Sequence, residues 1–337
     1  MEEVYSIKGK RILFLAPSFF GYENKIKDKM EQMGAIVDFY DERSVTKAFD
    51  RALLKIVPSV FNKKTSMYYN DILEACKNNE YSYIFVIKCD MLTEEILEKF
   101  HVIFPNSIFC LYLYDSVKNI KGVSSKFKYF HRILSFDRQD TFKYTEMKFR
   151  PLFYIDNFKK ALRTDNKYKY DISFSGTIHS DRYAIIKEVI DICKKMKLSF
   201  YNFSYLQSKF MYYFYKITKH EFRCARKRDF SFLKASSYEI SDVVDDSRAV
   251  LDIQHPKQTG LTMRTIEMVG MNKKLVTTNA EIEEYDFYNP NNILVIDRKN
   301  INISDEFLLT KYIPLDANIY DKYSITSWIE DILYAIE

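Results

Sequence analysis

The chain has 337 residues, of which 47% are hydrophobic and 29% are charged, and its formal net charge is +5. This length allows one large or two medium domains with real cores, and the charge is too small to imply a nucleic-acid partner by itself. The N-terminal residues lack the apolar stretch of a secretory signal, and no run of about 18 apolar residues could span a membrane.

The five cysteines are odd in number, widely spaced and include no Cys-x-x-Cys pair. This pattern indicates neither a zinc site nor a disulfide framework. We therefore expect no metal and no cofactor. A reducing cytoplasm is the simplest location for such a chain.

Short apolar runs alternate with helical segments through the first half of the chain. Strands are predicted at residues 11–17, 36–40, 83–87, 107–113, 132–136 and 151–155. Helices are predicted at residues 23–33, 45–57 and 66–78. Continuous apolar runs are typical of strands that are buried in a parallel sheet, and their alternation with helices predicts a doubly wound, mostly parallel α/β domain.

A polar and basic segment, residues 156–169, indicates a domain boundary. We expect a first domain over residues 1–156 and a second over residues 157–323. Strands in the second domain are predicted at residues 171–175, 198–202, 249–253, 274–278 and 293–296. Residues 324–337 are predicted to form an amphipathic terminal helix.

The most informative segment runs from Asp252 to Asn279. A strand leads into a turn at Gly260, a helix begins near Thr262, and another strand follows, which is half of a nucleotide-binding unit. The free N–H groups of a helix's first turn attract anions, and Arg264 adds a planar donor that suits a phosphate. Glu267 can accept hydrogen bonds from two ribose hydroxyls. The alternative is an ordinary crossover whose Arg and Glu are surface charges.

A second candidate loop covers residues 176–182, between a predicted strand and a predicted helix. Gly176 lets the backbone approach a ligand closely, Thr177 offers a hydroxyl, and Arg182 suits a diphosphate. This loop and the Gly260 turn both follow strands, so they would face the same crevice. The alternative is a helix that Ser180 caps, with a solvated Arg182.

Three further positions are candidates for contacts or chemistry. His255 and Gln258 follow a strand and could contact the sugar or the phosphates, although a loop histidine is often only a polar surface residue. Asp115 follows the strand that ends near residue 114, where a carboxylate can act as general base on an acceptor hydroxyl. A turn or helix cap is the alternative role for Asp115, and Asp137 and Asp140 are its rivals as the base.

The run GLTMRTIEMVG, residues 260–270, with KKLVTTN after it, resembles the donor-site segment of bacterial GT-B glycosyltransferases. The resemblance is to the CgeB-like and capsule or lipopolysaccharide-assembly branch. It implies two Rossmann-like α/β domains that face each other across a cleft, with the terminal helix packed back on the first domain. It also implies that Glu267 binds the ribose of a nucleotide sugar and that residues 260–264 hold the diphosphate.

Two other segments are similar to parts of the same family. Residues 135–154 are similar to the stretch that leads into the interdomain crossing, and residues 174–182 to the first strand and phosphate-facing loop of the second domain. Many retaining members carry a second Glu at the position of Thr259, so an inverting reaction is favoured.

Residues 203–228 combine aromatic side chains with six Lys or Arg between residues 216 and 228. This composition suits an anionic membrane surface, where a lipid-linked acceptor would be presented. The alternative is a core helix followed by a solvated basic helix. No nucleic-acid-binding motif is present.

We therefore expect a cytoplasmic glycosyltransferase, peripheral on the inner face of the plasma membrane. It would move a sugar from a nucleotide-sugar donor to a surface-polysaccharide or lipopolysaccharide acceptor without a metal. A non-catalytic nucleotide- or glycan-binding protein on the same fold is the alternative. A sugar-nucleotide epimerase with a related fold is a third interpretation.

Overall fold

The computed structural model describes residues 6–44, 62–165, 167–256 and 259–334. The chain divides into two compact units. Unit 1 runs to Pro151 and also includes the segment from Ile325 onward, whereas unit 2 covers Leu152–Ser324. The predicted helix at residues 45–57 lies outside the described residues.

Unit 1 contains a sheet of six parallel strands in the order β2-β1-β3-β4-β5-β6. The strands are β1 (Arg11–Ala16), β2 (Ile36–Asp41), β3 (Tyr83–Ile87), β4 (Ile108–Leu113), β5 (Arg132–Ser135) and β6 (Met147–Phe149). All five residues of β3 are buried, as are the last five residues of β1 and of β4. Central strands that are covered on both faces need apolar side chains in both directions, which explains the continuous apolar runs.

The described helices of unit 1 connect or flank these strands. They are α1 (Tyr22–Gln32), α2 (Asn62–Cys76), α3 (Glu94–Ile103) and α4 (Arg138–Lys143). Local sequence sets their starts: Thr93 caps α3 by accepting from the Ile96 N–H, and Asp137 caps α4 by accepting from the Gln139 N–H. The sequence did not predict α3, although its Thr93 cap and acidic first turn are typical start signals.

A final helix (Ile325–Leu333) completes unit 1. Its indole, Trp328, is fully buried, with its ring 4.8 Å from that of Tyr112 and 5.8 Å from that of Phe85. The Arg150 guanidinium lies 2.5 Å from the carboxylate of Asp331. The Ile325–Leu333 helix is therefore part of the core of unit 1.

Unit 2 contains five parallel strands in the order β11-β10-β9-β7-β8. The strands are β7 (Tyr170–Thr177), β8 (Phe200–Tyr205), β9 (Ser247–Asp252), β10 (Lys274–Thr277) and β11 (Ile293–Val295). The described helices are α5 (Arg182–Lys195), α6 (Lys209–Thr218), α7 (Ser237–Asp245), α8 (Met263–Gly270), α9 (Asp305–Leu309) and α10 (Ala317–Lys322), and the terminal helix of unit 1 is α11. The predicted fold class, two α/β domains built on parallel sheets, is confirmed.

One predicted strand is wrong. Residues 151–155 form no strand, and the sixth strand of unit 1 is Met147–Phe149 instead. The side chains of residues 151–155 are buried, but the Tyr154 N–H donates to the Tyr323 carbonyl and forms only an isolated bridge with Ser324. An apolar run indicates that its side chains are buried, but buried side chains can lie in a segment that pairs with no neighbouring strand.

A second correction concerns the loop at residues 176–182. Strand β7 continues to Thr177, so Gly176 and Thr177 pair with Ser204 and Tyr205 of β8. Ser180 does not cap α5, because the capping position is Asp181, which makes no side-chain cap bond.

Among the described residues, no helix has the length and apolar character that crossing a bilayer requires.

Candidate functional site

The predicted binding residues of unit 2 lie where β7, β9 and β10 end. These strands are parallel neighbours, so their carboxyl ends meet at one edge of the sheet. The segments that follow them carry His179, His255, Thr262 and Asn279. Ligands of open α/β sheets bind at this edge, and the structure therefore brings the two predicted loops together.

Asp252, the last residue of β9, fixes the beginning of α8. Its carboxylate is 3% exposed and accepts from the hydroxyls of Thr262, at 2.7 Å, and Thr265, at 2.6 Å. The Thr262 oxygen in turn accepts from the Thr265 N–H at 3.2 Å, which makes Thr262 the N-cap. The helix start is tied to the strand end, and the Thr262 hydroxyl is engaged in that structural role.

Arg264 and Glu267 form an ion pair on α8. The guanidinium nitrogen lies 2.6 Å from the carboxylate oxygen, and the side chains are 16% and 5% exposed. The guanidinium also lies over the ring of Phe158, 5.9 Å from its centroid. The predicted phosphate and ribose ligands are therefore adjacent, and each neutralises the other in the structure.

Arg182, the first residue of α5, connects two strands. Its side chain donates to the carbonyl of Ile253 at 2.5 Å and to that of Thr177 at 2.9 Å. A Cβ at Gly176 would lie 3.1 Å from the Phe174 ring, which is tight, and 3.5 Å from the guanidinium, which is an ordinary contact. Much of the Arg182 donor capacity thus serves the fold.

Three arginines concentrate positive charge at this edge. Burial lowers the pKa of the Arg182 guanidinium, and the charges of Arg264 and Arg298 act in the same direction. Asp252 and Asp181 oppose that effect. A group of cations that raise each other's energy is stabilised when an anion binds nearby. The arrangement suits a ligand with phosphate groups.

Arg298 is a candidate that the sequence did not reveal. It donates to the Asp181 carboxylate at 2.7 Å, and to the carbonyl and side-chain oxygens of Gln254 at 2.7 and 2.8 Å. Gln254 itself is buried and donates to the Thr278 carbonyl at 3.2 Å. The sequence contains one indication of this role, which is that Arg298 follows the short strand β11 and so lies at the same edge of the sheet.

Two histidines lie side by side at this edge. The ring centroids of His179 and His255 are 5.5 Å apart. Burial lowers the pKa of His179 to about 4, and the charges of Arg182 and His255 add to that effect. Ser180 beside it has φ of 45°, in the left-handed region that few non-glycine residues adopt, and its carbonyl accepts from Lys219 at 2.6 Å. His179 is thus neutral near pH 7.

Asn279, which follows β10, holds the turn around Gly260 by hydrogen bonds. Asn279 donates to the carbonyls of Thr259 and Gly260 at 3.1 and 3.4 Å, and it caps the following helical turn. Gly260 is buried. Gln258 lies outside the described residues. Asn279 is therefore a positioning residue for the predicted phosphate loop, although the sequence did not single it out.

Asp115 lies in unit 1, just after β4. Its side chain is 44% exposed, lies 3.6 Å from the Lys88 ammonium and accepts from Asn119 at 3.2 Å. Lys88 follows β3 and has φ of 78°, a strained value for a side chain of this size. The Lys88–Asp115 pair thus lies at the carboxyl edge of the first sheet.

The two rival carboxylates have structural partners. Asp137 accepts from the Ser116 hydroxyl and from the Gln139 N–H, and Asp140 accepts from the Val117 N–H at 2.7 Å. Both are buried, whereas Asp115 is half-exposed. Of the three, Asp115 is the most exposed.

A shallow groove of about 330 Å³ lies elsewhere in unit 2. Its lining includes Lys160, Asn272 and Tyr320. Asn272 follows the carboxyl end of α8, whereas the predicted phosphate ligands lie at the amino end. The groove therefore does not contain the candidate site.

No protein-family profile matches the chain, and no curated protein matches it by sequence. Several solved structures are similar in fold. The structure of HepE from Anabaena in complex with UDP-glucose is 10% identical, with a TM-score of 0.57, and the match covers 96% of this chain and 98% of that one. The same protein in complex with UDP and glucose is 12% identical, with a TM-score of 0.58 and coverages of 95% and 97%.

The N-terminal domain of trehalose-6-phosphate phosphatase from Candida albicans is also similar. It is 11% identical, with a TM-score of 0.56, and the match covers 98% of each chain. At such identities the similarity is one of fold. It extends over nearly the whole chain, so both α/β units have counterparts, in agreement with the expected GT-B-like class.

Proposed function

We propose that the protein is a glycosyltransferase that moves a sugar from a nucleotide-sugar donor to a glycan acceptor. The observation that carries the proposal is the position of Arg182, Arg264 and Arg298, which all follow strands at the carboxyl edge of the second sheet, beside the start of α8. Helix N–H groups and guanidinium groups are the donors that a diphosphate requires. The HepE structure, which has the same fold, contains UDP-glucose.

In this proposal the donor diphosphate binds at the beginning of α8. Arg264 turns from Glu267 to the phosphate, and the Glu267 carboxylate accepts from the ribose hydroxyls. Gly176, Thr177, Gly260, Thr262 and His255 are the other donor-site residues that we propose. Thr262 acts by capping and aiming the helix rather than by direct contact, because Asp252 already engages its hydroxyl.

The reaction that we propose is an inverting displacement. The acceptor hydroxyl oxygen attacks the anomeric carbon and passes its proton to Asp115. The bond from that carbon to the phosphate oxygen breaks, and its electron pair leaves with the nucleotide diphosphate. Positive groups that are fixed before the reaction stabilise the departing charge without reorganisation. We propose that the Arg cluster and the α8 N–H groups supply this stabilisation and that no metal is needed.

The acceptor that we propose is a surface polysaccharide or lipopolysaccharide, as expected for the CgeB-like and capsule-assembly branch. The test uses radiolabelled nucleotide sugars with extracts of such glycans, with and without EDTA. We expect transfer that is insensitive to EDTA. A thermal-shift panel identifies the donor first, because a ligand at about 100 times its Kd stabilises the fold by roughly 2.7 kcal/mol. Absence of any nucleotide-dependent shift would overturn the proposal.

A non-catalytic nucleotide- or glycan-binding protein is the second candidate. The observation in its favour is that all three cations already have partners. Arg182 donates to two backbone carbonyls. Arg264 pairs with Glu267, and Arg298 pairs with Asp181. A thermal shift with a nucleotide sugar, but neither hydrolysis nor transfer with any acceptor extract, is the result that this candidate predicts. Release of an altered sugar without acceptor would instead indicate an epimerase.

A further inference from the structure

Helix α6 presents an apolar stripe to solvent. Four side chains spaced as i, i+3, i+4 and i+7 share one face, and they are Phe210 (74% exposed), Tyr213 (53%), Phe214 (47%) and Ile217 (83%). The rings of Phe210 and Phe214 are stacked, 6.4 Å apart. Such spacing normally places side chains in a core. Here the opposite face is the buried one, through Tyr212, which is 4% exposed.

The stripe is anchored to a basic segment, residues 219–228. The Tyr212 hydroxyl and the Lys216 ammonium donate to the Ala225 carbonyl at 2.9 and 3.0 Å. The ring of Phe222 packs 5.0 Å from that of Tyr215. These contacts hold the segment against α6, so the stripe and the segment belong to one packed element.

The charges of this element are mostly positive and exposed. Exposed cations include Lys209, Lys216, Arg223, Arg226, Lys227 and Arg228. Asp229 offsets Arg226 at 3.2 Å. An exposed apolar face is unfavourable in water and marks an interaction surface, and the cations beside it favour an anionic partner. A partner whose surface is anionic and whose interior is apolar can contact both the cations and the apolar side chains.

We propose that α6 and residues 219–228 bind the surface of an anionic phospholipid bilayer. The Phe210–Ile217 stripe enters the headgroup boundary, and the flanking Lys and Arg contact lipid phosphates. The sequence placed eight apolar residues in this role. The structure reduces them to the four of the stripe, because Leu206 is buried and Phe203, Tyr205 and Met211 are half-buried. The inference depends only on this surface and not on the proposed transferase activity.

The test is sedimentation of the full chain with phosphatidylcholine vesicles, with or without phosphatidylglycerol, and without nucleotide. We expect binding only with the anionic lipid, and weaker binding in high salt. The double variant Phe210→Ser, Ile217→Ser should lower vesicle affinity at least about tenfold. The matched control is Val102→Ser, Leu309→Ser, which removes two equally exposed apolar side chains, 79% and 71% exposed, and should bind as the wild type does.

A second pair of variants separates charge from apolar contact. Lys227→Glu, Arg228→Glu should weaken binding at least about tenfold, because each cation near an anionic surface contributes several-fold. Lys63→Glu, Lys64→Glu makes the same change in net charge on another exposed pair and should have little effect. If the two charge-reversal variants lost the same vesicle affinity, the attraction would be nonspecific and the assignment to α6 would be overturned.

Cys224 provides a direct readout. Of the five cysteines it alone is exposed, so a polarity-sensitive fluorophore can be attached there. We expect its emission to shift to the blue with anionic vesicles. Absence of vesicle binding, together with concentration-dependent self-association that Phe210→Ser, Ile217→Ser abolishes, would show that the stripe binds a second copy of the chain instead.

Discussion

The guanidinium of Arg264 lies 2.6 Å from the carboxylate of Glu267, one turn further along α8. Both side chains are largely removed from water, so the pair is shielded less than a surface ion pair. In the proposed site these two residues hold different parts of the donor. Their mutual contact keeps both charges compensated before the donor arrives.

Arg264→Ala should weaken binding of the nucleotide sugar by roughly 1.5–3 kcal/mol, typical of a charged hydrogen bond. It should also lower thermal stability, because the buried Glu267 carboxylate loses the cation that lies 2.6 Å from it. Calorimetric titration and thermal unfolding measure the two effects. Arg226→Ala is the control, since it breaks another i, i+3 pair that is exposed and should alter neither. Unchanged donor affinity in Arg264→Ala would remove this residue from the site.

Asp115→Asn should reduce transfer while leaving donor affinity intact. Loss of a general base typically costs a factor of about 10²–10⁴ in rate, and the donor ligands that we propose belong to unit 2. Single-turnover transfer and donor titration measure the two quantities. Asp137→Asn is the comparison, because Asp137 caps α4 and accepts from Ser116, so its change should chiefly reduce stability. Full activity in Asp115→Asn would show that another group is the base.

UDP-glucose, whose charge is constant across this range, should bind more tightly as the pH falls from about 6 towards 4. Burial lowers the pKa of His179 to about 4 in the free protein, and a bound diphosphate raises it by favouring the charged imidazole. Binding therefore takes up a proton in this interval. The slope of log Kd against pH should flatten in His179→Gln. Identical slopes in the two proteins would place His179 away from the phosphates.

Glu42 makes the stability of the protein depend on pH. It is fully buried, accepts from the Met91 N–H at 2.5 Å, and burial raises its pKa from 4.5 to about 8. Between these values the folded state keeps a proton that the unfolded chain has released. The contribution of Glu42 to stability thus falls as the pH rises through this interval, by about 1.4 kcal/mol per pH unit.

Glu42→Gln should remove this dependence and be more stable than the wild type at pH 8, with a difference that shrinks towards pH 5. Urea unfolding at several pH values measures the difference in unfolding free energy between the two proteins. Glu95→Gln is the control, because that side chain is 72% exposed. A difference that does not vary with pH would mean that Glu42 is ionised in the folded protein.

The sequence by itself determined the elements that local chemistry controls. The apolar runs predicted β1, β3, β4 and β9, because central strands of a parallel sheet need apolar side chains on both faces. The start of α8 was predictable at Thr262, because a threonine cap before an apolar helical pattern is a local signal. The closeness of Arg264 and Glu267 followed from their i, i+3 spacing. The class of fold came from the order of these elements.

Only the tertiary structure decided which distant residues meet. Arg298 contacts Asp181, 117 residues away, and Asp252 accepts from two threonines of the next helix. No periodicity specifies such pairs, because they depend on how strands order themselves in the sheet. The exposure of the Phe210–Ile217 face is likewise a tertiary result: an amphipathic pattern shows that a helix has two faces, and packing decides which of them the core receives.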